Sequence, residues 1–199
     1  MSNVNKFQIE WIKDQIQLSI NSKVQLIEDF AILEQLTNIV SEICISLNNG
    51  NKIIFAGNGG SFADAQHLSA EFVSRLKFNR APLASVVLGA NNSTISAIGN
   101  DYGYDQVFSR ELQAIVKQGD IYIPITTSGN SLNIIKSVEK SKELQIKTFA
   151  FTGKSGGLLR DICECICIPS NDTARIQECH IMLGHIICEL VEKTIFTNK

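Results

Sequence analysis

Five short apolar runs, each followed by a helix-like segment, limit what this chain can become. The runs are KIIFAG (52–57), ASVVL (84–88), DIYIPIT (120–126), IKTFAFT (146–152) and CECICIP (163–169). The segments after them are 61–76, 92–100 extending to 104–117, 130–143, a short 155–161, and 173–196. Near-continuous apolar strands are buried on both faces, and an intervening helix returns the chain to start the next strand in parallel. The pattern predicts an α/β fold: a three-layer sandwich with a five-stranded, mainly parallel sheet between helices. Such sheets bind ligands beyond the carboxyl ends of their strands, near a topological switch point. Pro124 lies inside the third run, where it removes a ladder hydrogen bond and blurs the limits of that strand.

Two long helices are predicted ahead of the first strand. Ile9, Ile12, Ile16, Ile20, Val24 and Ile27 recur at helical spacing, as do Phe30, Leu33, Leu36, Ile39, Val40, Ile43 and Leu47. Asn48-Asn49-Gly50 ends the second helix. A helix placed before the first strand has little sheet left to cover, so its apolar surface points to packing on another subunit. One domain is expected over 1–199, with 1–50 as a helical oligomerisation segment and 51–199 as the α/β core. No linker, repeat or second domain stands out.

Charge and cysteine usage narrow the function classes. The formal net charge of −2 gives no electrostatic case for nucleic acid or an anionic membrane. No run approaches the roughly 18–20 apolar residues needed to span a bilayer, and MSNVNKFQIEWIKDQ lacks the apolar stretch of a signal peptide. The expected location is the cytoplasm. None of the six cysteines forms a C-x-x-C pair, and Cys163, Cys165 and Cys167 would share one face of a strand. They are expected to be buried core thiols in a reducing compartment.

Two loops have the make-up of a phosphate cradle. Gly57-Asn58-Gly59-Gly60-Ser61 joins the first strand to a helix, whose N-terminus offers unpaired N–H groups and a favourable dipole. It is neither G-x-G-x-x-G nor a Walker loop, and alone it also suits an ordinary tight turn. Thr126-Thr127-Ser128-Gly129-Asn130-Ser131 follows the third strand with four hydroxyls, more than an N-cap needs. Hydroxyls and backbone N–H groups hold a phosphate monoester without Lys or Arg. Together the loops suggest a small phosphorylated ligand rather than a dinucleotide.

Beside the first loop, Glu71 follows His67 by four residues, so both face the same side of one helix. By spacing alone this is either a solvated helix face or the acid–base part of a site. His185 sits in apolar MLGHIICELV, where it is either a satisfied core histidine or a neutral imidazole held for chemistry.

GNGGS, DAQH, AIGNDYGYDQVFSR, TTSGNS, FTGKSGG and ARIQECH, spread over nearly the whole chain, resemble the sugar isomerase (SIS) domain family and its phosphoheptose isomerase branch. The resemblance implies an SIS-type fold and conversion of sedoheptulose 7-phosphate to D-glycero-D-manno-heptose 7-phosphate through an enediol. It places the product in ADP-heptose synthesis for lipopolysaccharide or other bacterial surface glycans. It also implies a homotetramer, one Zn2+ per subunit and active sites between subunits. By resemblance Glu71 is the general base, with His185 as its acid/base partner, and His67, Glu71, Gln177 and His185 are metal ligands. Substrate contacts carry over to Asn58, Gly59, Gly60, Ser61, Asn100, Asp101, Thr126, Thr127, Ser128, Ser131 and Gln177.

Several positions qualify this transfer. Eight residues separate Gln177 from His185, about 12 Å of rise and about 80° beyond two turns. Either both lean toward one metal, or two subunits contribute. His180 lies about 140° around the helix from His185 and is expected elsewhere. Arg175 meets either phosphate or an acid across a subunit contact. Thr126 stands where Ser is expected, and Asn91 where many relatives carry Asp. The main rival is a non-catalytic relative that binds the replication initiator DnaA; it lacks the acid and imidazole that Glu71 and His185 supply here. A sugar-phosphate-sensing regulator is a second rival, and an isomerase of another ketose phosphate is a third.

Overall fold

In the computed structural model, which describes residues 3–197 and side chains from residue 5, five parallel strands form one sheet in the order β2-β1-β3-β4-β5. The strands are β1 (Ile53–Gly57), β2 (Ser85–Val87), β3 (Ile121–Ile125), β4 (Lys147–Thr152) and β5 (Glu164–Cys167). Helices α1 (Asn3–Glu28) and α2 (Phe30–Asn48) precede them. Helix α3 (Gly60–Val73) follows β1; α4 (Asn92–Tyr102) and α5 (Val107–Ile115) follow β2; α6 (Leu132–Glu143) follows β3; α7 (Thr173–Phe196) follows β5. A 3-10 turn at Gly157–Asp161 stands between β4 and β5. The expected "mainly parallel" sheet is parallel throughout.

The alternation of side chains along each strand divides the core in two. Ile53 and Phe55 of β1, Ile121, Ile123 and Ile125 of β3, and Phe149 and Phe151 of β4 pack under α2, α3 and α7. Ile54, Ala56, Tyr122 and Ala150 face the other way, under α5 and α6. Pro124 is accommodated opposite Ala56 of β1, while the β3–β4 register skips 123 and 124. The sheet runs one way from β1 to β2 and the other way from β1 to β3. The switch point therefore lies between β1 and β3, where the two hydroxyl- and glycine-rich loops emerge.

Three expectations bear on these elements. The apolar stripe of α1 does not face the chain: Ile9, Ile12, Ile16, Ile20, Val24 and Ile27 are 37–73% exposed. A largely polar face docks instead: Ser19 donates to Glu178 of α7 at 2.6 Å, and Arg175 donates to the Gln15 carbonyl at 2.5 Å. Second, α2 is one helix whose 19 residues and mean hydropathy of 1.4 would let it cross a bilayer, because its few polar residues are scattered among apolar ones. Its buried face, Ile32, Leu36, Ile39, Val40 and Ile43, is spent on the core. Third, Cys44, Cys179 and Cys188 are buried thiols, but Cys163, Cys165 and Cys167 are only half-buried because β5 is an edge strand. All six are free.

Candidate active site

The loops after β1 and β3 are tied together. Asn58 and Asn133 exchange amide hydrogen bonds, 2.9 Å each way, and the Tyr104 hydroxyl donates to Asn58 Oδ1 at 3.3 Å. Asn133 is buried in the first turn of α6, so its pairing satisfies a polar group that would otherwise be costly there. In the second loop the Thr126 and Ser131 hydroxyls lie 3.4 Å apart, and Ser128 Oγ accepts the Asn130 N–H at 3.1 Å. Gly129 has φ +66°, and a Cβ there would collide with the Gly156 carbonyl, so only glycine suits this turn. The FTGKSGG segment buttresses the loop from behind. Gly153 N–H donates to the Thr127 carbonyl, Leu158 N–H to Asn130 Oδ1, and Leu159 N–H to the Gly129 carbonyl, at 3.0, 3.0 and 3.3 Å.

Helices α3 and α7 bring the titratable groups together. His67 Nε2 lies 2.8 Å from His185 Nε2 and 3.5 Å from Glu71 Oε1. One donor atom from each of the three lies within 4.8 Å of the other two. The rings meet edge to face at 88°, centroids 4.9 Å apart. At that distance the two ring nitrogens are hydrogen-bonded, one donating and the other accepting as their tautomers set. His185 is half-buried and is not the satisfied core histidine that its apolar surroundings allowed. The close crossing depends on Gly184, where a Cβ would stand 2.5 Å from Leu68 Cδ1. Gly184 adjoins His185 and Leu68 adjoins His67, so the missing side chain lets the histidines meet.

Asp64, one turn before His67, belongs to the same neighbourhood. Burial raises its carboxyl above the ordinary value, and the charges of His67 and His185 draw it back. No sequence signal singles it out, because i,i+3 acids on helix surfaces are commonplace. Gln177 lies against the first loop: its Nε2 is 2.7 Å from where a Cβ on Gly60 would stand. That point is seven residues, about 10 Å of helix, before His67. Within one chain Gln177 thus sits at the loop end of the site. Asn100 and Asp101 lie exposed near the end of α4, where Asn100 Nδ2 donates to Asp101 Oδ1 at 2.8 Å. No hydrogen bond among the described residues joins them to the histidines.

The remaining candidates take structural parts. Asn91 caps α4 through the Ser93 and Thr94 N–H groups at 3.0 and 3.2 Å. Arg175 pairs with Glu178 of its own helix at 2.8 Å. His180 is fully buried and its Nε2–H donates to the Thr152 carbonyl at 3.1 Å, away from His185. Burial pushes its pKa down to about 4. A polar cavity of about 230 Å³ at the opposite end of the sheet is lined partly by Asp120. That carboxylate is taken up by Lys52 Nζ and by the Lys52 and Lys117 N–H groups.

Comparison with known proteins gives one answer. A family model described as SIS domain matches residues 21–153. The phosphoheptose isomerase of Aneurinibacillus thermoaerophilus is 50% identical over 191 residues, 96% of either chain. The structure of a phosphoheptose isomerase from Neisseria gonorrhoeae superimposes with TM-score 0.85 at 36% identity, covering 92% of this chain and 99% of that one. The corresponding Francisella tularensis structure gives 0.87 at 31%, covering 97% and 100%.

Proposed function

Because this chain belongs to the SIS domain family and, within it, to the phosphoheptose isomerases, we propose that it interconverts sedoheptulose 7-phosphate and D-glycero-D-manno-heptose 7-phosphate. One observation carries the reading: Glu71 and His185 converge at the crossing of α3 and α7, and α3 starts in the Asn58–Ser61 loop. A sugar phosphate anchored by its phosphate at the loops would extend along α3 toward those groups.

The chemistry then runs between C1 and C2. The Glu71 carboxylate takes a proton from C1, a C1–C2 double bond forms, and the ketone oxygen receives a proton from the His185 imidazole. Glu71 then returns its proton to C2, and the C1 hydroxyl gives its own to His185 as the aldehyde forms. General acid–base transfer of this kind is worth about 10²–10⁴-fold. Asn58, Gly59, Gly60 and Ser61 with Thr126, Thr127, Ser128 and Ser131 hold the phosphate. Gln177, Asn100 and Asp101 contact the sugar.

The donor set also suits zinc. Two imidazole nitrogens and a carboxylate oxygen are the ligand types that Zn2+ takes, and their mutual distances permit one ion. His67, Glu71 and His185 would hold it; Gln177, which lies at the loop end of the site in the same chain, would complete the set from a neighbouring subunit. Bound there, it would polarise the substrate oxygens as a Lewis acid.

The exposed stripe of α1, with Trp11 56% and Phe7 70% exposed, supports association into a homotetramer with sites at subunit contacts. Residues 1–199 act as one SIS unit, in the cytoplasm, with the heptose destined for lipopolysaccharide or a related surface glycan. The DnaA-binding reading is disfavoured, since both groups that a non-catalytic relative would lack are present and adjacent. The decisive assay incubates purified protein with sedoheptulose 7-phosphate, with and without chelator, and identifies the product by mass and NMR. Glu71→Gln should lower turnover at least about 10²-fold with the assembly intact. Wild-type turnover by that variant would remove Glu71 as the base.

A further inference from the structure

Arg80 and Glu192 form a buried ion pair that the chemistry above does not use. Their side chains are 3% and 0% exposed, and Arg80 Nε donates to Glu192 Oε1 at 2.9 Å. The rest of the guanidinium grips the end of α3. Its Nη2 donates to the Glu71 carbonyl at 2.7 Å, and its Nη1 to the Phe72 and Ala81 carbonyls at 2.8 and 3.0 Å. The Glu71 and Phe72 carbonyls are among the last of α3, which have no partner inside the helix. Glu192 is equally occupied, accepting the Leu76 and Lys77 N–H groups at 3.2 and 2.8 Å. It stands seven residues after His185, two turns along the same face of α7.

We propose that Arg80, braced by Glu192, is a positioning residue for the isomerisation: it fixes the main chain of Glu71 and locks that end of α3 to the helix bearing His185. The Gly184–Leu68 crossing sets how closely the two helices approach. The guanidinium sets where along α7 the carboxylate of residue 71 falls. Two contacts are needed because a single crossing point leaves the helices free to pivot. A planar fork with donors on three nitrogens suits this task, and an ammonium does not. The proposal takes its catalytic meaning from the reading of Glu71 and His185 given above.

The test compares Arg80→Lys, Arg80→Met and the double variant Arg80→Met/Glu192→Met with wild type. Arg80→Met strands a buried carboxylate and should melt early, whereas the double variant removes both charges and should regain stability. If Arg80 positions Glu71, the folded Arg80→Lys and double variants lose at least about tenfold in kcat while KM stays within about threefold, the pattern of an interaction felt in the transition state. A double variant that recovers kcat along with its stability overturns the proposal. A second readout stands apart from any sugar: the chain has three histidines, so their ring NMR signals can be assigned individually. In Arg80→Lys the signals of His67 and His185 should shift, with His180 as the internal reference. Unmoved signals overturn positioning even if wild type isomerises the heptose. Shifted signals in a protein that does not turn over the heptose sustain positioning and reject the substrate.

Discussion

Replacing Gly184 by Ala sets two effects of known size against each other. In a helix interior alanine is favoured over glycine by about 1 kcal/mol. Against this, the new Cβ would lie 2.5 Å from Leu68 Cδ1 and 2.6 Å from Cδ2. Leu68 is 2% exposed, so its side chain has no room to retreat. Overpacking of a tight core costs about 1–3 kcal/mol. The net expectation is a loss of about 0–2 kcal/mol, a fall of a few degrees in Tm for a chain of this size. The functional effect should be far larger. Restoring carbon–carbon contact to about 3.5–4 Å requires α3 and α7 to part by about 1 Å. The residues next to the clash are His67 and His185, now 2.8 Å apart. A misplacement of about 1 Å costs about 10²-fold in rate. Gly184→Ala should therefore melt close to wild type yet lose about 10²-fold in kcat, with KM little changed because the phosphate loops lie at the far end of α3. Steady-state kinetics beside a thermal melt reads both numbers. Adding Leu68→Ala should recover part of the rate by making room for the methyl group. Full activity in the single variant would refute the claim that this crossing sets the histidine contact.

Two further expectations follow from the same elements. His185→Ala should lose both turnover and bound zinc, and metal analysis finding full occupancy would strike His185 from the ligand set. His180 is pushed down to about 4 by burial from an ordinary 6.5, and its Nδ1 has no hydrogen-bond partner. Between these values the unfolded chain binds the extra proton and the folded one does not. Stability should therefore be complete above about pH 6.5 and fall toward pH 4, by about 3 kcal/mol from this group. Urea midpoints of wild type and His180→Leu across that range test it, and equal pH slopes would rule out His180 as the source.

What the sequence made legible follows from how local each signal is. Strand runs and the helices between them declare themselves over a few residues, and Ile53–Gly57 and Thr173–Phe196 fall within a residue of their expected limits. The loops were readable for the same reason, since glycine and hydroxyl content is local. The outward stripe of α1 followed from its place before any strand that it could cover, but the polar contacts of Arg175, Ser19 and Glu178 that seat its other face were not readable. His185 was ambiguous because an apolar helix surrounds a buried imidazole and a site imidazole alike. Asn58 with Asn133, and His67 with His185, are pairs 75 and 118 residues apart, and no short-range pattern joins them. Gly184 did leave a trace: a glycine inside a strongly apolar helix usually has a packing reason.

Helix α4 has no buried residue along its whole length, although Asn100 and Asp101 stand on it. Ile95 and Ile98 lean half-buried on the core, so the interior would survive rewriting of its exposed positions, so long as Asn91 still starts the helix. On the proposed reading, in which Asn100 and Asp101 contact the sugar, mutations there would reshape that contact without disturbing Glu71 and His185 on α3 and α7. Under that proposal, descendants of such a chain would change diet by drifting at this helix, while the isomerisation itself is inherited intact.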